Sequence, residues 1–313
     1  MKMRYCFGVD VGGTTVKLGF FDEEGNLLEK WEIPTRTEDH GKNILPDVAA
    51  SILDKMKERE VSREEIAGVG IGAPGPIDAK GTVYVAVNLG WGTFSLKNEL
   101  QSLLNLPVEA GNDANVAALG EMWKRGGQGY SNVVAVPLGT GGGGGIIVDG
   151  KILSGATGAG GEIGHIHVMD DETEACNCGN CGCLEQYTSA TGIVRLAKRR
   201  LAEDDKPSVL RESGNISAKT VFDAVKDGDE LAIEVAERFG KILGKTLAGI
   251  AAVVNPEIFV IGGGVSKAGP VLLDYIQKNY TLYAFSGSRG ALFALATLEN
   301  DAGIYGAAKL VLD

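Results

Sequence analysis

Apolar residues along this chain come in short blocks closed by glycine, separated by stretches where they recur every three or four positions. Phe7-Gly8-Val9-Asp10-Val11 stops at Gly12-Gly13, and a second apolar run, Val16-Lys17-Leu18-Gly19-Phe20-Phe21, stops at Asp22. Short runs bounded by glycine predict two strands joined by a tight turn. The pattern returns at Val134-Ala135-Val136-Pro137-Leu138, followed by Gly139-Thr140-Gly141, then Gly145-Ile146-Ile147-Val148 and Asp149-Gly150. A third echo pairs residues 69–75 with residues 260–264, each an apolar strand ending in a Gly-rich turn. Residues 47–60 predict a helix, with Val48, Ile52, Leu53 and Met56 on one face and Lys and Glu opposite. Residues 114–124 predict another that stops at Gly126-Gly127. Residues 229–254 predict a long periodic helix that Pro256 ends. The repeated pattern implies two similar α/β halves, each a mixed sheet flanked by helices.

Composition narrows the functional classes. The chain has 313 residues, 44% of them hydrophobic, enough for a sizeable core and more than one domain. A net charge of −11 works against nucleic acid and anionic membranes unless a basic patch exists. The densest basic run, Lys198-Arg199-Arg200, reads as one end of a solvated helix. No apolar signal core precedes the first strand, which begins near Tyr5, and the apolar region 246–265 is interrupted by Asn255-Pro256-Glu257. The expectation is a cytoplasmic protein without nucleic-acid or membrane partners. In that compartment disulfides rarely persist.

Five motifs carry candidate chemistry. Asp10-Val11-Gly12-Gly13-Thr14-Thr15 ends a predicted strand. Its glycines can turn the backbone so that N–H groups meet an anion, and Asp10 can hold Mg²⁺ directly or through water. A plain hairpin with a buried Asp fits equally well. Leu138-Gly139-Thr140-Gly141 leads into a run of five glycines, 141–145. So many bare positions point to something bulky, such as a phosphate chain, approaching the backbone. Asn112-Asp113-Ala114-Asn115 opens a helix. Asp113 is either its cap or a base, and a helix N-terminus predicts a low pKa for its carboxylate. Glu162 and His165 stand three apart in a Gly-rich loop, a pairing that favours a ligand site.

The fifth motif is Cys176-Asn177-Cys178-Gly179-Asn180-Cys181-Gly182-Cys183-Leu184-Glu185, which holds four of the five cysteines. Thiolates with one imidazole in a tetrahedral shell make a structural zinc pattern. A site of four cysteines is the alternative. A Cys178/Cys181 redox pair has no thioredoxin-like surroundings to support it.

Taken in order, these motifs resemble the ROK family (repressor, open reading frame, kinase) of sugar kinases, from Asp10 to the C-terminus. The most specific part is the set Cys176, Cys178, Gly179, Gly182, Cys183 and Glu185. The resemblance implies an actin-like, ribonuclease-H-like ATPase fold of two α/β lobes with an active cleft between them. Its lobes would be residues 1–112 plus 300–313, and residues 113–299. Asp10, Gly12, Gly13, Thr14 and Thr15, with Lys17, resemble the first phosphate motif. Gly139, Thr140 and Gly141 resemble the second, and Gly262, Gly263 and Gly264 the adenosine motif. Asp113 looks like the catalytic base, with Asn112 beside it as a sugar contact. Glu162, His165 and Glu185 look like further sugar ligands. His165, Cys176, Cys178 and Cys183 match the family's zinc ligands, whereas Cys181 falls at a variable position. Implied with them are ATP, Mg²⁺ at Asp10, a structural Zn²⁺ and a homo-oligomer, dimer or larger. The expected activity is ATP-dependent phosphorylation of glucose at its 6-hydroxyl. The alternatives are a kinase for fructose, mannose or N-acetylmannosamine, or a non-catalytic sugar sensor. The family's repressors carry a helix-turn-helix ahead of the first strand; with that strand beginning near Tyr5, the expectation is a chain of the kinase kind.

Overall fold

The computed structural model describes residues 4–139 and 141–312. In chain order the first elements are β1 (Tyr5–Val11), β2 (Thr15–Asp22), β3 (Leu27–Pro34), α1 (Ile44–Glu58) and β4 (Ile66–Ala73). Next come β5 (Thr82–Val83), β6 (Phe94–Ser95), α2 (Leu96–Leu104), β7 (Val108–Asn112) and α3 (Asp113–Lys124). The middle of the chain forms β8 (Val133–Pro137), β9 (Gly145–Val148), β10 (Lys151–Ile152), α4 (Glu185–Thr188), α5 (Ala190–Leu201) and α6 (Val209–Glu212). The last part forms α7 (Ala218–Lys226), α8 (Glu230–Val254), β11 (Ile258–Gly262), α9 (Pro270–Tyr283), β12 (Leu292–Leu295) and α10 (Ala302–Lys309).

Two compact units result. One is Met1–Gly129, Gly145–Gly161 and Leu298–Asp313; the other is Tyr130–Gly144 and Glu162–Thr297. This division runs differently from the lobes expected above. The first unit takes in α3 and the β9–β10 hairpin because both pack on elements of that unit. The backbones of α3 and α10 approach so closely that a Cβ at Gly306 would lie 1.7 Å from the Val116 carbonyl oxygen. A Cβ at Gly145 of β9 would lie 2.3 Å from that of Ala118 on α3.

The first unit is built on a sheet of order β3-β2-β1-β4-β7. β2 runs antiparallel to both β1 and β3, whereas β4 runs parallel to both β1 and β7. Strand period two sorts β1 to two faces. Phe7, Val9 and Val11 join the core that α1 and α2 close with Ile44, Val48, Ile52, Leu100 and Leu104. Cys6 points the other way, to Phe21, Ile304 and Ala308. On that second face Gly8 and Gly70 let α10 lie directly on the strands; a Cβ at Gly70 would lie 1.7 Å from the Ala307 carbonyl oxygen. Truncating a buried core residue such as Ile52 to alanine costs about 2–5 kcal/mol in cores of this kind.

In the second unit β11 lies between β8 and β12 and is parallel to both. Gly240 and Gly244 of α8 receive α9 at Tyr275, Ile276 and Tyr280. The rings of Phe259, Tyr280 and Phe293 pack on one another at 5.0–5.3 Å.

The three helices read from the periodicity are present, with shifted ends. α1 starts at Ile44 because Ile44 and Leu45 extend its buried face. Asp229 is the N-cap of α8, accepting from the Ala232 N–H at 2.9 Å, so the helix proper begins one residue later. Asn255 ends it in the left-handed conformation, just before Pro256. The run at the end of α5 is less solvated than expected: Arg199 pairs with Glu172 and Arg200 with Asp204 and Glu234. Among the described residues no helix is long and apolar enough to cross a membrane.

Candidate active site

In the first unit, the parallel sense of β1, β4 and β7 brings the ends of β1 and β7 to one edge of the sheet. Asp10 sits near the end of β1. The chain turns at once: the Gly12 N–H donates to the Thr15 carbonyl at 3.0 Å, and Thr35 closes the turn from β3's end by donating its hydroxyl to the Gly12 carbonyl at 2.7 Å. Gly12 must be bare, since a Cβ would lie 2.8 Å from the Thr15 carbonyl oxygen. Gly13 and Thr14 are exposed, and nothing lies within 4 Å of where a Gly13 Cβ would be. An anion could therefore reach the backbone there. Lys17, opposite Asp10 in the β1–β2 register, donates its ammonium to the Asn300 carbonyl at 3.0 Å.

At the end of β7, Asn112 is the cap of α3, accepting from the Asn115 N–H at 3.1 Å. That removes the simpler reading of Asp113 as the cap. Asn112 also donates to the Gly75 carbonyl at 3.1 Å and to Asp113 Oδ1 at 3.0 Å. Asp113 Oδ1 accepts from the Ala114 N–H at 2.8 Å as well.

The expectation of a low pKa for Asp113 is wrong. Burial raises it, and this outweighs the lowering by the Ala114 N–H, the Asn112 amide and its own N–H. Asp10 is pushed up to about 6, first by burial and then by the charge of Asp113, against the opposing pull of Lys17. Two carboxylates thus share a poorly solvated corner, an arrangement suited to a cation or a transferred proton.

In the second unit the 138–142 turn is held by its neighbours. The Leu138 N–H donates to the Gly262 carbonyl at 2.9 Å, and the Val265 N–H donates to the Leu138 carbonyl at 3.1 Å. Gly263 takes a φ of +79°, where a side chain would meet the Leu138 backbone at 2.5 Å. So Gly262, Gly263 and Gly264 stand directly against the turn that contains Gly139 and Gly141. Thr140 lies outside the described residues. The bare run has a partly internal explanation. A Cβ at Gly142 would lie 2.9 Å from that of Glu185, and the Gly142 carbonyl would meet a Cβ at Gly164 at 1.6 Å. Close packing of the protein's own backbone, rather than an approaching ligand, thus requires Gly142.

Glu185 opens α4 and ties three parts together. Its Oε2 accepts from the Gly142 N–H at 3.0 Å, while its Oε1 accepts from the Cys176 thiol at 2.8 Å and lies 4.0 Å from His165 Nδ1. Its side chain is 13% exposed, against 42% for Glu162 and 35% for His165. His165 presents two edges. Nδ1 faces the Cys176 sulfur at 3.8 Å, and Nε2 faces Glu162 at 4.0 Å.

Ligand atoms of His165, Cys176, Cys178 and Cys183 all lie within 4.8 Å of one another. Tetrahedral zinc with Zn–S bonds of about 2.3 Å sets its sulfurs roughly 3.8 Å apart; Cys178 and Cys183 are 3.6 Å apart. Three thiols and an imidazole at this spacing fit zinc. Burial raises the Cys176 and Cys183 thiols, whereas the Asn180 N–H lowers Cys178, so a metal would have to displace protons from at least two sulfurs. Cys181 is outside this group; its carbonyl meets His167 Nδ1 at 2.9 Å.

One network was not anticipated. Glu172, buried within the loop between His165 and Cys176, pairs with Arg195 at 2.7 Å and Arg199 at 3.0 Å and accepts from the Tyr187 hydroxyl. Burial alone would raise its pKa, but Arg199 and Tyr187 hold it well below the carboxylate range. The loop that carries the cysteines is thereby anchored to α4 and α5. The available signal was Arg195 and Arg199, four apart on one face of a helix.

Comparison with known proteins matches residues 6–313 to the ROK family. The chain belongs to the ROK family. It is 44% identical to a glucokinase of Halalkalibacterium halodurans, over 99% of this chain and 96% of that protein. It is 37% identical to a glucokinase of Thermotoga maritima, over 99% of this chain and 98% of that one. Among solved structures, the ROK glucokinase of Streptomyces griseus in complex with glucose and AMPPNP superposes with a TM-score of 0.74 at 36% identity, covering 98% of each chain. The fold of this chain is accordingly the actin-like ATPase fold of ROK sugar kinases, in the α/β class expected from its pattern.

Proposed function

We propose that this protein transfers the γ-phosphoryl group of ATP to the 6-hydroxyl of glucose. The observation that carries the reading is Asp113: a carboxylate that does not cap its helix, is raised in pKa by burial and stands beside Asp10 at the sheet edge. A base with a raised pKa accepts a hydroxyl proton more readily near neutral pH. Likeness over nearly the full length to proteins named glucokinase supports glucose as the sugar.

In this reading Asp113 takes the proton from the 6-hydroxyl as the phosphoryl group moves in line. Asn112 holds both Asp113 and the sugar. Glu162, His165 Nε2 and Glu185 accept or donate hydrogen bonds to the remaining hydroxyls. The Gly12–Thr15 and Gly139–Gly141 turns, with Lys17, cradle the phosphates, and Gly262 to Gly264 face the adenosine. Mg²⁺, when bound at Asp10, neutralises charge building on the phosphates. His165, Cys176, Cys178 and Cys183 would hold zinc, which would fix His165 and Glu185 in place and take no part in the transfer. The enzyme works as a homo-oligomer in the cytoplasm, as the family resemblance implies.

A coupled assay of ADP release across a hexose panel tests the reading. Glucose should give the highest kcat/KM. A higher value for fructose, mannose or an N-acetylated hexose overturns glucose as the substrate, and binding of sugar and ATP without turnover overturns the kinase in favour of a sensor.

A further inference from the structure

Gly303, in the first turn of α10, is a glycine with no local reason to be one. Its φ lies outside the positive range, and glycine forms helix less readily than alanine. The neighbouring Gly306 and Gly120 are bare because backbone lies against them: a Cβ would meet the Val116 carbonyl oxygen at 1.7 Å and the Ala302 carbonyl oxygen at 2.2 Å. At Gly303 the obstruction is different. A Cβ would lie 2.5 Å from Cγ, 2.6 Å from Oδ2 and 2.9 Å from Cβ of Asp10, and these are its three nearest atoms. Contacts of that length do not occur, so a methyl group there must turn the Asp10 carboxylate aside.

The same segment also holds the residue opposite Asp10. Lys17, its cross-strand partner, is fixed by the Asn300 carbonyl at 3.0 Å. Residues 300–303 therefore back the first phosphate turn from a point some 290 positions away in sequence.

We propose that Gly303 is a positioning residue for the proposed phosphoryl transfer, its missing side chain setting the direction in which Asp10 presents its carboxylate. The consequence for metal use rests on the reading of Asp10 as the Mg²⁺ ligand; the packing consequence does not.

The test is a double-mutant cycle on the full chain with two readouts. In melting experiments without Mg²⁺ or nucleotide, G303A should lower the Tm of the protein with Asp10. In the D10A background the same change should cost less, because the contacts at 2.5 and 2.6 Å are gone and only the 2.9 Å contact with the Cβ of residue 10 remains. An equal loss in both backgrounds overturns the proposal. If G303A does not fold, D10A/G303A should; failure of both to fold also overturns it. In steady-state assays G303A should raise the Mg²⁺ concentration for half-maximal rate by about tenfold or more, as expected for a displaced ligand. Calorimetry should show weaker binding of Mg·ATP with metal-free ATP and glucose binding unchanged. If D10A alters the Mg²⁺ requirement and G303A does not, Gly303 does not position Asp10. If the melting cycle holds and neither variant alters the requirement, Gly303 does orient Asp10, and it is the Mg²⁺ role of Asp10 that fails.

Discussion

The turns at 12–15 and at 138–142 look alike in sequence and are held in different ways. The hydrogen bonds that close the first are local. Gly12 donates to Thr15 and accepts from Thr35, all within one hairpin and the end of its next strand. The second depends on residues far along the chain: Gly262 and Gly263 on one side, Glu185 and Gly164 on the other. A local hairpin closes a short loop at small entropic cost, whereas the second turn is ordered only once distant segments have docked. The chemistry divides along the same line. The first unit contributes two carboxylates whose properties burial sets. The second carries Glu185 and His165, whose placement depends on the cysteine-bearing loop.

The largest effect expected is on the first side. Asp113→Asn keeps the shape and removes the base, so kcat should fall by about 10²–10⁴ while glucose still binds. Near-normal turnover would reduce Asp113 to a structural residue.

Next comes the second side. Elemental analysis of protein prepared without chelators should find about one zinc per chain. Cys178→Ser should lose it and Cys181→Ser should keep it, because Cys181 lies outside the group of four. Losing the metal frees Glu185 and His165, so KM for glucose should rise by roughly 10–100-fold. The Mg²⁺ requirement, which the proposed function assigns to Asp10, should not move. If Cys181→Ser is the damaging change, the ligand set is wrong.

Glu185→Gln separates the two turns more finely. It puts an amide where Oε2 accepts from the Gly142 N–H, at a cost of about 1–3 kcal/mol for an unmatched buried group. KM for glucose should rise, with a smaller rise for ATP through the second turn. An ATP effect larger than the glucose effect would place Glu185 on the nucleotide side.

The smallest effect is electrostatic and belongs to the first unit alone. Asp10 is held at about 6 instead of 3.8. Below pH 4 it is protonated in folded and unfolded chains alike and costs nothing. Between 4 and 6 only the unfolded chain gives up the proton, so this group makes folding less favourable as pH rises, and above 6 the cost is constant. In Mg²⁺-free melts Asp10→Asn should therefore gain Tm relative to the parent at pH 8, and the gain should vanish near pH 4. A gain independent of pH would mean that the carboxylate is well solvated.

Much of this was readable without coordinates. Periodicity located α1, α3 and α8 to within a few residues, since an amphipathic helix must repeat its buried face every three to four positions. Chemical type and spacing singled out Asp10 and Asp113, which the fold sets near enough for their charges to interact, and His165, Cys176, Cys178 and Cys183, which it gathers. Where the reading failed, the cause lay in neighbours remote in sequence. The pKa of Asp113 went up because burial, which no local window records, outweighed the helix end. The need for a bare Gly142 came from Glu185 and Gly164, and that for a bare Gly303 from the carboxylate of Asp10. Nothing in its local sequence sets Glu172 apart; its partners Arg195, Arg199 and Tyr187 come from other segments. Local sequence fixes backbone preference and the kinds of atom on offer; desolvation and contact belong to the assembled fold, because both depend on which distant atoms exclude water from a given group.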